Sequence, residues 1–250
     1  HAENMGKGQA LKTGLAYAFE NETVKKNYKF GRFIFTRENT DEVVSSLESP
    51  EVVGFSNYVW NTQYNLALAE KIKKEYPDCK ILFGGHNVPP DGDFLEEYPF
   101  IDFLMHGEGE EAFLNLLLAF NDSEADYSQI KNISYRLNDG NTATNPTEIL
   151  TKTDYPSPYL NGWFDDIIRQ NPDMQLDAIL ETSRGCPGSC AYCDWGCTAS
   201  KIKFFPLNRV FAEIDWFSQH KVAFIWIADS NFGANERDEK ITERIVGLKE

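Results

Sequence analysis

The sequence predicts an α/β protein: a doubly wound parallel sheet in the first half, then the start of a second β-α series. Three observations carry that expectation. Apolar runs of strand length recur along the chain, amphipathic stretches of helical period separate them, and the connections are only a few residues long. At 250 residues, 42% of them hydrophobic and 14% aromatic, the chain has ample material for a buried core.

In order, residues 8–20 carry apolar positions at helical spacing and 30–36, FGRFIFT, read as a strand. Residues 40–49 read as a short helix with a cap-like Thr40, and 51–57 as a buried strand. In 61–77, Leu66, Ala69 and Ile72 share one helical face and Pro77 marks the end. Residues 79–85 form a strand closing on two glycines, and 100–120 a strand, tight turn and helix. After a polar stretch, 132–146 reads as a β-hairpin with Asp139-Gly140 at its turn. The next segment has no clear period, but Tyr155, Tyr159, Trp163 and Phe164 carry too much apolar surface for a free linker, so an ordered connector is expected. The second series has a strand at 176–186, a helix at 207–220 with Val210, Ile214 and Phe217 on one face, a second buried strand at 221–233 and a last helix. The expected division is 1–125, an α/β domain; 126–175, a connector with a hairpin; and 176–250, β-α units too few to close an eight-fold barrel. A start at His1 and an end inside a helical pattern without a stop signal add the expectation of a fragment.

The net charge of −15 argues against a nucleic-acid backbone or an anionic membrane as partner, and suits a hydrated surface. No apolar run is long enough to span a bilayer, and none has the pattern of a signal peptide, so a cytoplasmic location is expected.

Open parallel sheets bind ligands beyond the carboxyl ends of their strands. Those ends fall at 56–61, 84–89 and 106–109, segments rich in Gly, Asn, Ser or His. Each alone also reads as a plain β-α turn.

Four of the five cysteines crowd into ETSRGCPGSCAYCDWGC, residues 181–197. Cys79 stands apart before a strand and reads as a semi-buried thiol. A disulfide framework spreads cysteines along a small secreted chain, and structural zinc wants two separated pairs; neither pattern is present. Glycine and proline between Cys186, Cys190 and Cys193 let the loop turn back so that three sulfurs can approach one point. Three cysteine thiolates on a four-iron cluster leave one iron open to a non-protein ligand.

CxxxCxxC after a first barrel strand, with Tyr192 before the third cysteine, resembles the radical S-adenosylmethionine (SAM) superfamily. The resemblance implies a partial TIM barrel in which Cys186, Cys190 and Cys193 hold a [4Fe-4S] cluster. It places Tyr192 near the adenine of SAM and Asp229, Ser230 and Asn231 near its methionine moiety, where many members carry Gly-Gly-Glu. A turn capping the next helix accounts equally well for the last three. Cys197 falls outside the motif and reads as a structural thiol. GGHNVP, HGEGEEAF and YPSPYLNG together resemble the branch whose first, Rossmann-like domain binds cobalamin. That implies corrin contacts from Ser56, Asn57, Tyr58, Gly84, Gly85, His86, His106, Gly107, Glu108 and Gly109. The Asp-x-His-x-x-Gly cobalt-ligating motif is absent, so histidine-bound cobalt is not expected, and the resemblance implies that the branch's first strand would lie before His1. The implied activity is cleavage of SAM to a 5′-deoxyadenosyl radical, for methyl transfer to an unactivated carbon or related radical chemistry. The implied partners are a small-molecule or peptide substrate and a flavodoxin- or ferredoxin-like electron donor. The alternatives are a radical enzyme without cobalamin, whose first domain binds substrate or a partner, and a zinc or redox-sensing module.

Overall fold

The computed structural model describes residues 9–137, 139–188, 190–193 and 201–248. The chain divides into two compact units, Tyr17–Glu148, and Ile149–Glu250 with the residues up to Ala16.

The first unit is built on a five-stranded sheet in the order β1 (Val52–Ser56), β2 (Lys80–Gly84), β3 (Phe103–Met105), β4 (Ile133–Arg136), β5 (Thr142–Thr144). The first three strands are parallel, and the hairpin β4–β5 continues the sheet antiparallel from β3. The expected hairpin therefore forms, and it is sheet rather than connector, so this unit extends past residue 125. Its turn depends on Gly140, at φ 88, a conformation that costs glycine nothing. The strand order is sequential, so the reversal that defines double winding does not occur among the described strands.

α1 (Gln9–Ala18) falls mostly in the other unit; helices α2 (Glu22–Asn27), α3 (Thr40–Ser45), α4 (Thr62–Glu75), α5 (Asp93–Glu97) and α6 (Glu110–Ala119) precede or link these strands. α4 buries Leu66, Leu68, Ala69 and Ile72 against Phe55, Ile81 and Phe83, together with Val43 of α3 and Phe94 and Leu95 of α5. Burying each large aliphatic there contributes about 2 kcal/mol. Strand alternation sends Phe103 and Tyr135 to the other face, where they join Phe120 and Tyr127 in an aromatic cluster. The sheet is thus covered on both faces.

Three details differ from expectation. Residues 30–36 form no strand: Gly31 and Arg32 leave only three successive apolar residues, and these are used singly. Ile34 packs on the core while Phe30 and Phe33 pair with each other at 4.5 Å. α3 is capped by Asn39 rather than Thr40, its Oδ1 accepting from the Asp41 and Glu42 amides. Finally, α2 and α5 were not anticipated.

In the second unit, α7 (Asp165–Gln170) lies in the connector, whose Tyr155, Tyr159 and Phe164 are fully buried, as their apolar surface required. β6 (Asp177–Leu180) pairs in parallel with β9 (Phe224–Ile227), with Leu180 opposite Ile227. β9 is not the buried strand expected: alternation turns Phe224 and Trp226 outward, and both are half-exposed. The crossover between them is α8 (Leu207–Gln219), which buries Val210, Ile214 and Phe217 as its period predicts. α9 (Glu236–Gly247) follows. Short antiparallel strands β7 (Ser183–Arg184) and β8 (Lys203–Phe204) bracket the cysteine segment. No helix among the described residues is long and apolar enough to cross a membrane.

Candidate cofactor sites

In the first unit, Ser56, Gly84 and Met105 stand in one register line across β1, β2 and β3. Asn57, Gly85 and His106 are each the next residue out, so three predicted segments meet along one edge. Buried amides fix their shape. Asn57 is fully buried; its side-chain NH2 donates to the Asn87 carbonyl at 3.1 Å, and its carbonyl accepts from Asn65 at 3.2 Å. Asn65 and Asn61 both donate to the Ser56 carbonyl, at 3.1 and 2.9 Å. Asn87 donates to Thr62 Oγ1, which donates to the Tyr58 carbonyl. These bonds satisfy the β1 and β2 ends, where the ladder stops.

Gly85 sits at φ 109, and a Cβ there would lie 2.7 Å from the Asn57 carbonyl oxygen. No other residue fits. Gly107, at φ 63, and Gly109 meet nothing within 4 Å, so both present bare backbone to open space. Exposed His86 has its ring 6.1 Å from that of Tyr58, which stacks on half-exposed Trp60 at 4.8 Å. The glycine surfaces and the aromatic rings suit a flat, largely apolar group.

His106 plays a different part. It is buried, with Nε2 2.7 Å from Ser134 Oγ, itself 2.8 Å from Thr144 Oγ1. Burial holds its pKa below the ordinary 6.5, against an opposing effect of the Asp91 charge. With Nε2 committed to Ser134, His106 anchors β3 to the hairpin. Glu108 lies half-buried beside Gly107.

In the second unit, the cysteine loop leaves the sheet between β7 and β8. Gly185, at φ 91, starts its turn. Cys186 Sγ accepts hydrogen bonds from the Gly188 amide at 3.4 Å and Asn231 Nδ2 at 3.2 Å. These donors, Gly188 first, lower the thiol pKa and favour the thiolate that metals bind. A Cβ on Gly188 would lie 3.5 Å from Cys186 Sγ and 3.6 Å from Cys190 Sγ, so the two sulfurs flank the bare glycine. Cys190 and Cys193 are exposed free thiols, and the Cys193 backbone N–H donates to the Cys190 carbonyl at 3.0 Å. Tyr192 is 92% exposed. Among the described residues no group of three His, Cys, Asp or Glu side chains converges in metal-holding geometry. Cys186, Cys190 and Cys193 offer sulfur donors, which suit an iron–sulfur cluster better than a hard cation. Cys197 lies outside the described residues. Cys79 is buried and its thiol is pushed up to about 11 by desolvation, which makes it inert.

The root of the loop is held by residues distant in sequence. Asp229 accepts from the amides of Thr182 (2.7 Å) and Ser183 (3.1 Å) and from both their hydroxyls. Ser230 Oγ donates to the Gly185 carbonyl at 2.6 Å. Arg237 donates to the Thr182 and Phe205 carbonyls and to Thr182 Oγ1. Arg184 forms a two-pronged ion pair with Glu181, at 2.7 and 3.0 Å. Sequence reasoning missed Asn65, Ser134, Thr182 and Arg237. Only Asn65 left a signal, a polar side chain among the apolar positions of α4.

Residues 33–117 match the model of the B12 binding domain. The chain is 35% identical over 238 residues to 2-(S-pantetheinyl)-carbapenam-3-carboxylate methyltransferase of Streptantibioticus cattleyicolor, covering 93% of this chain and 35% of that protein. It is 35% identical over 235 residues to the cobalamin-dependent radical SAM methyltransferase TokK of Streptomyces tokunonensis, covering 92% of this chain and 34% of the relative. The chain thus spans about a third of the length of these curated relatives. Its fold matches apo OxsB, a cobalamin-dependent S-adenosylmethionine radical enzyme, with a TM-score of 0.71 at 18% identity, covering 96% of this chain and 34% of that one.

Proposed function

We propose, from the premise that this chain carries the B12-binding domain of the cobalamin-dependent radical SAM enzymes, that it is the cofactor-holding part of a radical SAM methyltransferase. The observation that carries the reading is the place of the match. Residues 33–117 include β1, β2 and β3 with their register-aligned, glycine-lined ends. On this reading Gly85, Gly107 and Gly109 admit the corrin to the backbone. Ser56, Asn57, Tyr58, Gly84, His86 and Glu108 shape or border its bed, and His106 fixes the β3 end without ligating cobalt.

Cys186, Cys190 and Cys193 hold a [4Fe-4S] cluster on the second unit, and Tyr192 lies toward SAM. Bound there, the cluster supplies one electron to SAM, and cobalamin supplies a transferable methyl group. The chain's own work is to present three thiolates, to root the loop that bears them, and to offer a flat surface to the corrin. The acceptor is an unactivated carbon of a small molecule or peptide. A flavodoxin- or ferredoxin-like protein supplies the electron, in a compartment that keeps the thiols reduced. Anaerobic reconstitution with iron and sulfide tests this reading: a brown protein with about four irons per chain supports it. One zinc and no iron overturns it.

A further inference from the structure

The turn after β9 was expected to face SAM or to cap the following helix. Capping is accomplished without it. At the start of α9, Asp238 Oδ2 accepts from the Gly233 and Asn235 amides at 2.9 and 3.2 Å. Asp229, Ser230 and Asn231 instead reach back across the sequence, and all three end on the cysteine segment, in chain order: Thr182 and Ser183, then Gly185, then Cys186.

We propose that Asp229–Ser230–Asn231 is the positioning element of the cysteine loop: it sets the loop's stalk, its first turn and the orientation of the first sulfur. What the loop holds rests on the cluster reading above; the strap geometry does not. β7 and β8 pair over only two residues each, so the ladder by itself gives the root at Thr182 and Ser183 few bonds. A single carboxylate taking four donors restores order at the root, because bonds to an ionised acceptor are about twice as strong as neutral ones. Parallel pairing of β6 with β9 brings Asp229 there, with Ala228 N bonded to the Leu180 carbonyl at 2.9 Å. Ser230 then holds the carbonyl of Gly185, the residue whose positive φ starts the turn. Asn231 puts an N–H on Cys186 Sγ. A hydrogen bond to a cluster-ligating sulfur stabilises the reduced, more negative cluster and so raises its potential. These are positioning residues: each acts through the loop.

Two measurements test the proposal. In protein without iron, hydrogen–deuterium exchange reads the Thr182 and Ser183 amides directly. Asp229→Ala and the milder Asp229→Asn are expected to raise their exchange on the order of tenfold or more, with β2 amides unchanged. In reconstituted protein, an EPR-monitored redox titration of Asn231→Leu and Asn231→Asp is expected to give a more negative cluster potential at wild-type iron content. Unchanged exchange in both Asp229 variants, or an unchanged potential in both Asn231 variants, overturns the proposal. If wild-type protein takes up no iron, the cluster reading falls, and the exchange experiment alone decides the strap.

Discussion

The β1 and β2 ends are held by side-chain amides buried beneath them, and Gly85 has its conformation forced by a backbone oxygen 2.7 Å from where a Cβ would stand. Among the described residues the cysteine loop is held at its root and first sulfur, by Asp229, Ser230, Asn231 and Arg237, while Cys190, Cys193 and Tyr192 stand in solvent. In the first region the surface for a ligand is part of the folded core. In the second, the core stops short of the ligand-bearing atoms. Substitutions should therefore damage stability in one region and ligand holding in the other.

The largest expected effect lies in the loop. Cys186→Ala, Cys190→Ala or Cys193→Ala should each abolish most iron retention after reconstitution, while the melting temperature of the iron-free protein stays at the wild-type value. A matching loss of melting temperature would break the contrast. Next is Gly85→Ala. Positive φ and the clash with Asn57 together should cost about 3 kcal/mol in denaturant unfolding of the first unit, and weaken cobalamin binding with it. Asn57→Ala should cost about 2 kcal/mol in the same assay, because the Asn87 carbonyl and the Asn65 amide lose a buried partner.

The smallest effect depends on pH. His106 has a folded pKa below its ordinary value, so between the two values the unfolded chain binds more protons than the folded one. Stability is full above about pH 7 and falls as pH drops through 6.5 toward the folded pKa, then levels off. His106→Gln keeps a group able to bond Ser134 and should flatten that part of the stability–pH curve. An unaltered slope would mean that the ring is not the titrating group.

Much of this was legible in the sequence where the signal is local. The periods of α4 and α8, Pro77 after α4 and the Asp139-Gly140 turn each reflect chemistry within a few residues. So do the polar strand ends and the spacing of Cys186, Cys190 and Cys193. What was not legible depends on pairings between distant residues. Thr182 meets Asp229 only because β6 and β9 are neighbours, and Ser134 meets His106 only because the hairpin joins the sheet. The two-residue strands β7 and β8 have no pattern of their own. α5, at five residues, is too short to show a period. The apolar run at 30–36 misled because composition alone does not provide a strand with a pairing partner.

The central claim is that the first unit forms a bed for cobalamin, and equilibrium dialysis of the intact chain against hydroxocobalamin, read by its visible spectrum, tests it most directly. The account predicts one cobalamin per chain, with binding at micromolar concentration that Gly85→Ala weakens severalfold. No retained cobalamin at a hundredfold higher concentration, or binding indifferent to Gly85→Ala, would contradict it.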